Sequence, residues 1–273
     1  MPLVDSMYRA VNSLSRWPIL RSIADRQTLS TFLANREQNL FLGVYERWEE
    51  AEAAAASYGK SGYDNQESAD IYRYMMRIAP HDYPALYWLS RSLSEGMSSV
   101  FDVGGAIGIK FYAFKEHLAP WPTLRWRVQD VTAVAKRGRE LALERGVQEH
   151  LDFTDNFADG DGTDILFASG VVQYLPKRLG EMLEGYRQLP KRIVVNTAAI
   201  HPQFEFITVN SIGTAFCPYR IQTQAGFIGA LSKLGYKVKE SWQNLGKPMT
   251  IPFRPDYSLT EYSGYCLDLV KAR

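Results

Sequence analysis

The pattern of apolar and polar residues changes character near residue 98. Upstream, residues that favour helices dominate, including the alanine-rich stretch Ala51–Ala56, and glycines mark a loop over 58–64. The helices predicted there cover residues 27–56, 66–79 and 83–95. Since no strand is predicted in this part, we expect residues 1–97 to form a helical cap or lid, separate from the rest of the chain.

Downstream, short apolar runs alternate with amphipathic helical segments, the pattern of a parallel sheet with crossover helices. The predicted strands lie at 99–103, 124–129, 150–154, 163–168 and 191–197, and the predicted helices at 133–145, 177–189 and 222–234. Two further strands, 236–242 and 262–271, have no helix between them and predict an antiparallel hairpin at one edge of the sheet. We therefore expect an α/β fold with a doubly wound sheet over residues 98–273.

The most specific motif is a glycine cluster that follows the first of these strands. The strand carries Asp102, and it leads into Gly104, Gly105 and Gly108 and then into a segment that can begin a helix. Glycines allow a backbone to approach a ligand closely, and a helix start offers unpaired N–H groups. The dinucleotide fingerprint G-x-G-x-x-G fits poorly, because Gly104 and Gly105 are adjacent and Ala106 stands at the place of the second glycine.

The turn resembles more closely the D-V-G-G-G-x-G segment of class I S-adenosylmethionine-dependent methyltransferases, with Ala106 in place of one glycine. Asp130 ends the second predicted strand, where an acidic residue would bind the ribose hydroxyls. Leu151–Phe157 resembles the G-D-x-F segment, which implies that Asp155 accepts from the adenine amino group. Residues 163–175 follow as a buried strand that opens into a loop beside the sulfonium. The resemblance implies a Rossmann-like sheet of the class I methyltransferase type, S-adenosylmethionine as cofactor and S-adenosylhomocysteine as product.

The same resemblance gives a set of residues that would contact the cofactor. They are Tyr63, Asp102, Gly104, Gly105, Ala106, Gly108, Asp130, Val131, Asp155, Asn156, Ser169 and Gly170. Alternatives exist for several of them. The glycines could form a tight turn without a ligand, and Asp102 could cap a helix rather than orient the turn and the methionine amino group. Tyr63 and Asp64 could be an exposed turn rather than a segment that closes over the cofactor.

Further motifs narrow the resemblance. The blocks Phe41–Ala51, Ser61–Asp64, F-D-V-G-G, A-S-G-V-V-Q-Y-L and Cys217–Arg220 are similar to those of a bacterial family of predicted methyltransferases. That family is met in surface-polysaccharide and other biosynthetic gene clusters, and the similarity spans roughly residues 40–270. It implies a small polar acceptor, with a hydroxyl of a sugar or of a natural-product intermediate favoured.

Methyl transfer requires alignment of the acceptor, and a hydroxyl acceptor also benefits from a general base. Many small-molecule O-methyltransferases carry a histidine after the fourth strand, where this chain has the substrate-binding candidates Gln173 and Tyr174. His201, beyond the fifth strand, is the best base, with a packed loop histidine as the equal alternative. The remaining catalytic and substrate-binding candidates are Glu205, Tyr219 and Arg220. The last two could instead anchor the loop before the last helix.

Composition and charge narrow the partners. The chain has 273 residues, 46% of them hydrophobic and 22% charged, with a net charge of +1, so no concentrated basic face for nucleic acid is expected. Its two cysteines, Cys217 and Cys266, give neither a disulfide framework nor a metal-binding spacing, and no metal is expected. No apolar run approaches bilayer-spanning length and no signal-peptide core is visible. We expect a cytoplasmic protein, whose N-terminal helices could form a homodimer contact.

Two other function classes stay open. A nicotinamide-dependent oxidoreductase would use a related sheet with a different glycine spacing. A catalytically silent binding or scaffold module would keep the cofactor pocket without a base. The cofactor that the protein binds would distinguish an oxidoreductase from a methyltransferase. Turnover would distinguish a methyltransferase from a scaffold module.

Overall fold

A computed structural model of the chain describes residues 18–36, 38–60, 62, 76–118, 123–213 and 215–270. The first elements are α1 (Pro18–Leu33), β1 (Leu40–Tyr45), α2 (Trp48–Tyr58) and α3 (Tyr83–Ser94). The central elements are β2 (Ser99–Val103), α4 (Ile109–Phe114), β3 (Arg125–Gln129), α5 (Thr132–Glu144), β4 (Leu151–Thr154), β5 (Ile165–Ser169), α6 (Leu179–Leu183) and β6 (Arg192–Ala198). The last are β7 (Ile200–His201), β8 (Phe206–Ser211), β9 (Phe216–Thr223), α7 (Gln224–Lys233), β10 (Tyr236–Asn244) and β11 (Tyr262–Leu269). Short 3-10 helices cover Pro80–Asp82, Lys115–His117, Phe157–Gly160 and Pro255–Tyr257.

The larger sheet has seven strands in the order β10-β11-β6-β5-β2-β3-β4. Strands β4, β3, β2, β5 and β6 run parallel, and β11 pairs antiparallel with both β6 and β10. The prediction of a doubly wound α/β sheet with an antiparallel C-terminal hairpin at its edge is confirmed. The strand order reverses between β2 and β5, and ligands of such sheets bind outside the carboxyl ends of the strands at this point.

Helices cover both faces of the larger sheet, because its central strands are apolar on both sides. In β2, Val100 belongs to the core formed with α3, α4 and α5, whereas Phe101 belongs to the core formed with α6 and α7. In β5, Phe167 and Leu166 divide between the same two cores. All four side chains are buried, so the strands that carry the loops at the carboxyl edge are firmly held from both sides.

A second sheet has four strands in the order β1-β8-β9-β7. Strand β8 pairs antiparallel with β1 and β9, and β7 pairs parallel with β9. Phe32 of α1 and Ala51 and Ala55 of α2 share a buried cluster with Ile207 and Val209 of β8. The N-terminal part of the chain therefore builds a sheet together with the segment that lies between β6 and α7.

Strand β1 interrupts the helix predicted over 27–56, and that prediction is wrong. The segment between α1 and α2 is rich in residues that favour strands. Its Gly43 has a φ of +81°, and a Cβ added there would lie 2.8 Å from the ring of Tyr45. The position of the domain boundary near residue 98 stays a prediction, but the part before it contains a strand.

Two other predicted helices differ from the observed elements. Of the helix predicted over 66–79, residues 66–75 lie outside the described residues, and 76–79 are not helical. The helix predicted over 177–189 is shortened to α6, and beyond it the backbone N–H of Gln188 donates to Oδ1 of Asp161 at 2.8 Å. The contact ties this non-helical segment to the loop before β5. Strands β8 and β9 have no counterpart among the predicted strands.

Candidate functional site

The glycine-rich turn between β2 and α4 has a left-handed backbone. The φ angles are +64° at Gly104, +52° at Ala106 and +86° at Gly108. A Cβ at Gly104 would lie 2.2 Å from Cγ2 of Val171, so the loop after β5 packs directly on the turn. Ala106 is strained at its φ, because residues with a Cβ rarely adopt this region. Glycine at 104 is required both for the backbone conformation and for the close approach.

Asp130 ties this turn to the start of α5. Its Oδ2 accepts a hydrogen bond from the backbone N–H of Ala106 at 2.8 Å, and its Oδ1 accepts from the N–H of Val131 at 2.8 Å. Val131 is the residue that precedes α5. A carboxylate oxygen can accept two hydrogen bonds, so these backbone contacts do not preclude the predicted contact with ribose hydroxyls. That contact stays a prediction.

Asp102 lies beneath the turn and is only 1% exposed. The indole N–H of Trp126 donates to its Oδ2 at 3.0 Å, and a Cβ on Gly105 would lie 2.4 Å from the same oxygen. Burial raises the pKa of Asp102 to about 8, against the hydrogen bond from Trp126. The carboxyl group thus supports the turn from within the protein, and its predicted contact with the methionine amino group stays a prediction.

Asp155 and Asn156 are exposed at the end of β4. The hydroxyl of Thr132 at the start of α5 donates to Oδ2 of Asp155 at 2.7 Å, and Asn156 caps the short helix that follows it. The last paired residues of β3 and β4 face each other in the sheet register. Asp130 and Asp155 therefore leave the sheet at neighbouring positions, as one ligand that spans both would require.

Ser169 and Gly170 end β5 at the same edge of the sheet. The N–H of Gly170 donates to the carbonyl of Asn196 at 2.8 Å, and its φ is +73°. A Cβ added at Gly170 would meet no atom within 4 Å, so open space lies in front of this residue. The predicted cofactor contact at Tyr63 lies outside the described residues.

A small cleft of about 110 Å³, open to solvent, has Gly170 in its lining. Its aromatic and apolar lining residues are Phe41, Tyr174, Tyr219, Pro248 and Tyr262. Its polar lining residues are Asn39, Gln173, Thr197 and Lys247. The cleft combines β1, the loop after β5, the end of β6, β9 and the hairpin of β10 and β11. It thus brings four of the predicted site residues together: Gly170, Gln173, Tyr174 and Tyr219.

Gln173 presents an unpaired acceptor at this cleft. The side chain is 3% exposed, and its Nε2 donates to the carbonyl of Thr197 at 3.3 Å. Its Oε1 is buried and has no hydrogen-bond partner among the described residues. An unpaired buried amide oxygen is costly, so a ligand with a donor would relieve it. Thr197 itself has a φ of +56°, a strained conformation for a β-branched residue.

The tyrosines of the cleft form hydrogen bonds within the protein. The hydroxyl of Tyr174 donates to Oδ1 of Asn210 at 2.8 Å, and that of Tyr219 donates to the hydroxyl of Tyr262 at 2.8 Å. Burial raises the pKa of Tyr219 well above its ordinary value and the pKa of Tyr262 to about 12. Both hydroxyls therefore stay protonated at neutral pH and serve as hydrogen-bond donors rather than as bases.

Lys247 and Tyr262 are site residues that the sequence analysis missed. Lys247 as a residue is exposed, but its Nζ lies 5.9 Å from the ring centroid of Tyr262. Loss of water around the amino group lowers its pKa, and the charge of Lys110 lowers it further. Phe41 belongs to one of the quoted motif blocks and could have been found from it. Nothing in the local sequence marks Thr197, because its role depends on the strand ends around it.

The candidate base His201 is held by backbone groups and does not line the cleft. Its Nδ1 accepts from the N–H groups of Gln203 at 3.1 Å and Phe204 at 2.9 Å, which leaves Nε2 to donate to the carbonyl of Asp256 at 2.9 Å. In this arrangement neither ring nitrogen has a lone pair for a proton from an acceptor. The structure thus places His201 as a buried residue at the end of β7, and its role as a base stays a prediction.

Glu205 and Arg220 also lie outside the lining of the cleft. Glu205 pairs with Arg178 at 2.5 Å and accepts from the hydroxyl of Thr223 at the start of α7. The guanidinium of Arg220 lies 5.1 Å from the ring centroid of Trp48, and burial lowers its pKa. Both side chains are placed to anchor β9 and α7, and neither is placed to meet an acceptor in the cleft.

Comparison with known proteins shows similarity at the level of the fold. No protein-family model and no curated protein matches the chain. LepI in complex with S-adenosylmethionine aligns with a TM-score of 0.51 and 14% identity over 75% of this chain and 53% of LepI. The mitomycin 7-O-methyltransferase MmcR aligns at 0.47 and 16% identity over 82% of this chain and 68% of MmcR. OxaC in complex with sinefungin and meleagrin aligns with a TM-score of 0.49 and 16% identity over 76% of this chain and 52% of OxaC.

The chain has the Rossmann-like α/β fold of class I methyltransferases. It spans about half the length of LepI and OxaC. Within the residues that the structure describes, no helix has the length and apolar character to cross a bilayer. The same residues include no group of three or more His, Cys, Asp or Glu side chains arranged to hold a metal ion.

Proposed function

We propose that this protein is an S-adenosylmethionine-dependent methyltransferase that acts on a small polar acceptor. The observation that carries the proposal is the position of Gly170. It follows β5, next to β2 with its glycine-rich turn, and it also opens the cleft lined by Gln173 and the tyrosines. A donor bound on the turn would therefore point its reactive end towards the cleft that holds these candidate acceptor-binding residues.

The residues at the carboxyl edge suit this cofactor. The turn at 104–108 offers backbone groups, and Asp130 and Asp155 stand at adjacent strand ends to accept from ribose and adenine. S-adenosylmethionine supplies a methyl group already activated on a positively charged sulfur. The protein then has to exclude water and align the acceptor in line with that methyl group. The shared fold with LepI, itself a complex with S-adenosylmethionine, supports the same cofactor here.

The N-terminal part contributes to the proposed acceptor site. Phe41 of β1 and the exposed Asn39 line the cleft, which supports the role of a lid for residues 1–97. The resemblance to methyltransferases of polysaccharide and other biosynthetic gene clusters supports a hydroxyl of a sugar or natural-product intermediate as acceptor. The homodimer contact through the N-terminal helices is part of the same proposal.

A silent cofactor-binding module is the second candidate. One observation favours it: the lining of the cleft, among the described residues, contains no histidine and no carboxylate. His201, the base expected from the sequence, is engaged by backbone groups. Turnover with any acceptor would exclude this candidate.

Calorimetric titration with S-adenosylmethionine, S-adenosylhomocysteine and NAD tests the cofactor directly. We expect saturable binding of the first two and none of NAD, because the adjacent Gly104 and Gly105 do not form the dinucleotide fingerprint. Binding of NAD alone would instead support the nicotinamide-dependent oxidoreductase. Binding of none of the three would refute the proposal.

A further inference from the structure

Aromatic side chains form most of the walls of the cleft. The rings of Phe41 and Tyr219 lie 5.1 Å apart at 68°, and those of Tyr174 and Tyr219 lie 4.8 Å apart at 89°. These edge-to-face contacts and the hydroxyl bond from Tyr219 to Tyr262 hold the rings in fixed relative positions. A slot with fixed walls favours a planar ligand, which loses little conformational entropy when it binds.

Few polar groups of the cleft remain for a ligand. The hydroxyls of Tyr174 and Tyr219 and the amide nitrogen of Gln173 already have protein partners. Among the described lining residues, the side-chain groups left are Oε1 of Gln173, the amino group of Lys247, the O–H of Tyr262, the hydroxyl of Thr197 and the exposed Asn39. A pyranose carries hydroxyls around its whole rim, and each needs a partner when it is buried. Because the cleft is small and its walls are mostly aromatic rings, it suits a single flat ring with few polar groups better than a sugar.

We propose that the methyl acceptor is a phenol, bound with its ring among Phe41, Tyr174 and Tyr262 and with its hydroxyl donating to Oε1 of Gln173. An amide oxygen accepts hydrogen bonds and donates none, so it selects a hydroxyl over an ether and fixes the direction of the reacting oxygen. This inference rests on the proposed function for the transfer step. It narrows the acceptor from a small polar molecule to an aromatic one.

The methyl transfer needs only the acceptor, side chains of the cleft and S-adenosylmethionine, the donor of the proposed function. The phenolic oxygen gives a lone pair to the new O–C bond, and the electron pair of the broken S–C bond stays on sulfur. The phenolic proton, held at Oε1 of Gln173 in the bound state, is transferred to the neutral amino group of Lys247, which lines the same cleft. Loss of water around the amino group and the charge of Lys110 lower the pKa of Lys247, whereas the charge of Asp82, which lies beside His81, raises it. The lowered pKa increases the fraction of neutral amine near neutral pH.

Binding of a matched pair of ligands to the cofactor-free protein tests the site. The probes are 4-hydroxyacetophenone, its ether 4-methoxyacetophenone, and methyl α-D-glucopyranoside, each titrated calorimetrically. One neutral hydrogen bond to a buried acceptor corresponds to about a tenfold preference for the phenol over the ether. We expect this preference in the wild type, and we expect Gln173→Leu to abolish it without weakening the ether. Gln148→Leu, at an exposed glutamine in the turn before β4, should leave it unchanged.

The outcomes separate this inference from the proposed function. Equal affinity of the wild type for phenol and ether, which needs no variant, overturns the inference, as does tighter binding of the glucoside. If Gln173→Leu does not fold, Gln173→Met replaces it. Phenol binding without S-adenosylmethionine binding would refute the proposed function and leave the aromatic site standing. Binding of S-adenosylmethionine together with the glucoside, but not the phenol, would refute the aromatic acceptor and leave the proposed function standing.

The role of Lys247 has its own readout. We expect Lys247→Met to lower kcat for 4-hydroxyacetophenone at least tenfold and to change KM by less than about threefold. The tenfold limit is set below the contribution that a general base usually makes to the rate. In the wild type kcat should rise with pH as the amine loses its proton, and Lys247→Met should lose this rise. The same rise in both proteins would overturn the assignment of the proton to Lys247. Lys233→Met, at the end of α7, is the matched control.

Discussion

Replacement of Asp130 tests the connection between the turn and the proposed cofactor site. Its carboxylate accepts two backbone hydrogen bonds of 2.8 Å, from Ala106 and Val131, and the Ala106 residue is buried. Asp130→Ala leaves the Ala106 N–H without this acceptor, which costs about 1–3 kcal/mol for an unsatisfied buried donor. We expect the free energy of unfolding to fall by about that amount. Asp130→Asn keeps one oxygen acceptor and should lose less.

Asp130→Ala should also weaken cofactor binding, beyond its effect on the stability of the fold. Hydrogen bonds to a charged acceptor are worth about 1.5–3 kcal/mol, so Asp130→Ala should weaken S-adenosylmethionine binding by about 10-fold to 150-fold. Urea unfolding followed by tryptophan fluorescence gives the stability, and calorimetry gives the affinity. Asp152→Ala is the control, because within the described part of the chain this exposed residue pairs only with the exposed Arg127 on the neighbouring strand. Unchanged S-adenosylmethionine affinity in folded Asp130→Ala would refute the ribose assignment.

Three further predictions concern the turn and His201. Burial raises the pKa of Asp102 from 3.8 to about 8, so the folded state binds a proton that the unfolded state releases, and stability should fall as pH rises from about 4 to about 8. Urea unfolding across this range should show a loss of up to about 5 kcal/mol in the wild type, and Asp102→Asn should remove this loss. The same dependence of stability on pH in both proteins would contradict the effect of burial. Ala106→Gly should stabilise the protein by about 0.5–1 kcal/mol in thermal unfolding, because glycine adopts the positive φ without strain. Gly104→Ala should destabilise it by at least about 2 kcal/mol, because the new Cβ would clash with Val171. A more stable Gly104→Ala variant and a less stable Ala106→Gly variant would refute this geometry of the turn. His201→Ala should cost about 2–4 kcal/mol of stability through lost backbone contacts and leave kcat of the folded protein unchanged, and a stable variant without turnover would restore the base hypothesis.

The larger sheet could be predicted because its signals are local. Central parallel strands are buried on both faces, so β2 and β5 appear as short apolar runs, and Gly104 and Gly108 mark the turn by residue type alone. The alternation of these runs with amphipathic segments defines the doubly wound order. The terminal hairpin follows from two strands without an intervening helix.

The smaller sheet and the cleft depend on contacts between distant parts of the chain. Strand β1 pairs Phe41 with Asn210, and its flanking alanines and charged residues favour helix, so the local pattern misled the prediction. The cleft combines side chains from five separate segments, which no motif spacing encodes. His201 shows the same limit, because the backbone groups that bind its ring are set by the folded loop.

A crystal structure of the protein with S-adenosylhomocysteine would show whether the donor site on the glycine-rich turn and the aromatic cleft meet at Gly170. We expect the ribose hydroxyls at Asp130 and the sulfur at Gly170, facing the cleft, so that the methyl group that S-adenosylmethionine carries on this sulfur would point at an acceptor there. A product bound away from the turn, or one whose sulfur faces away from the cleft, would contradict this expectation.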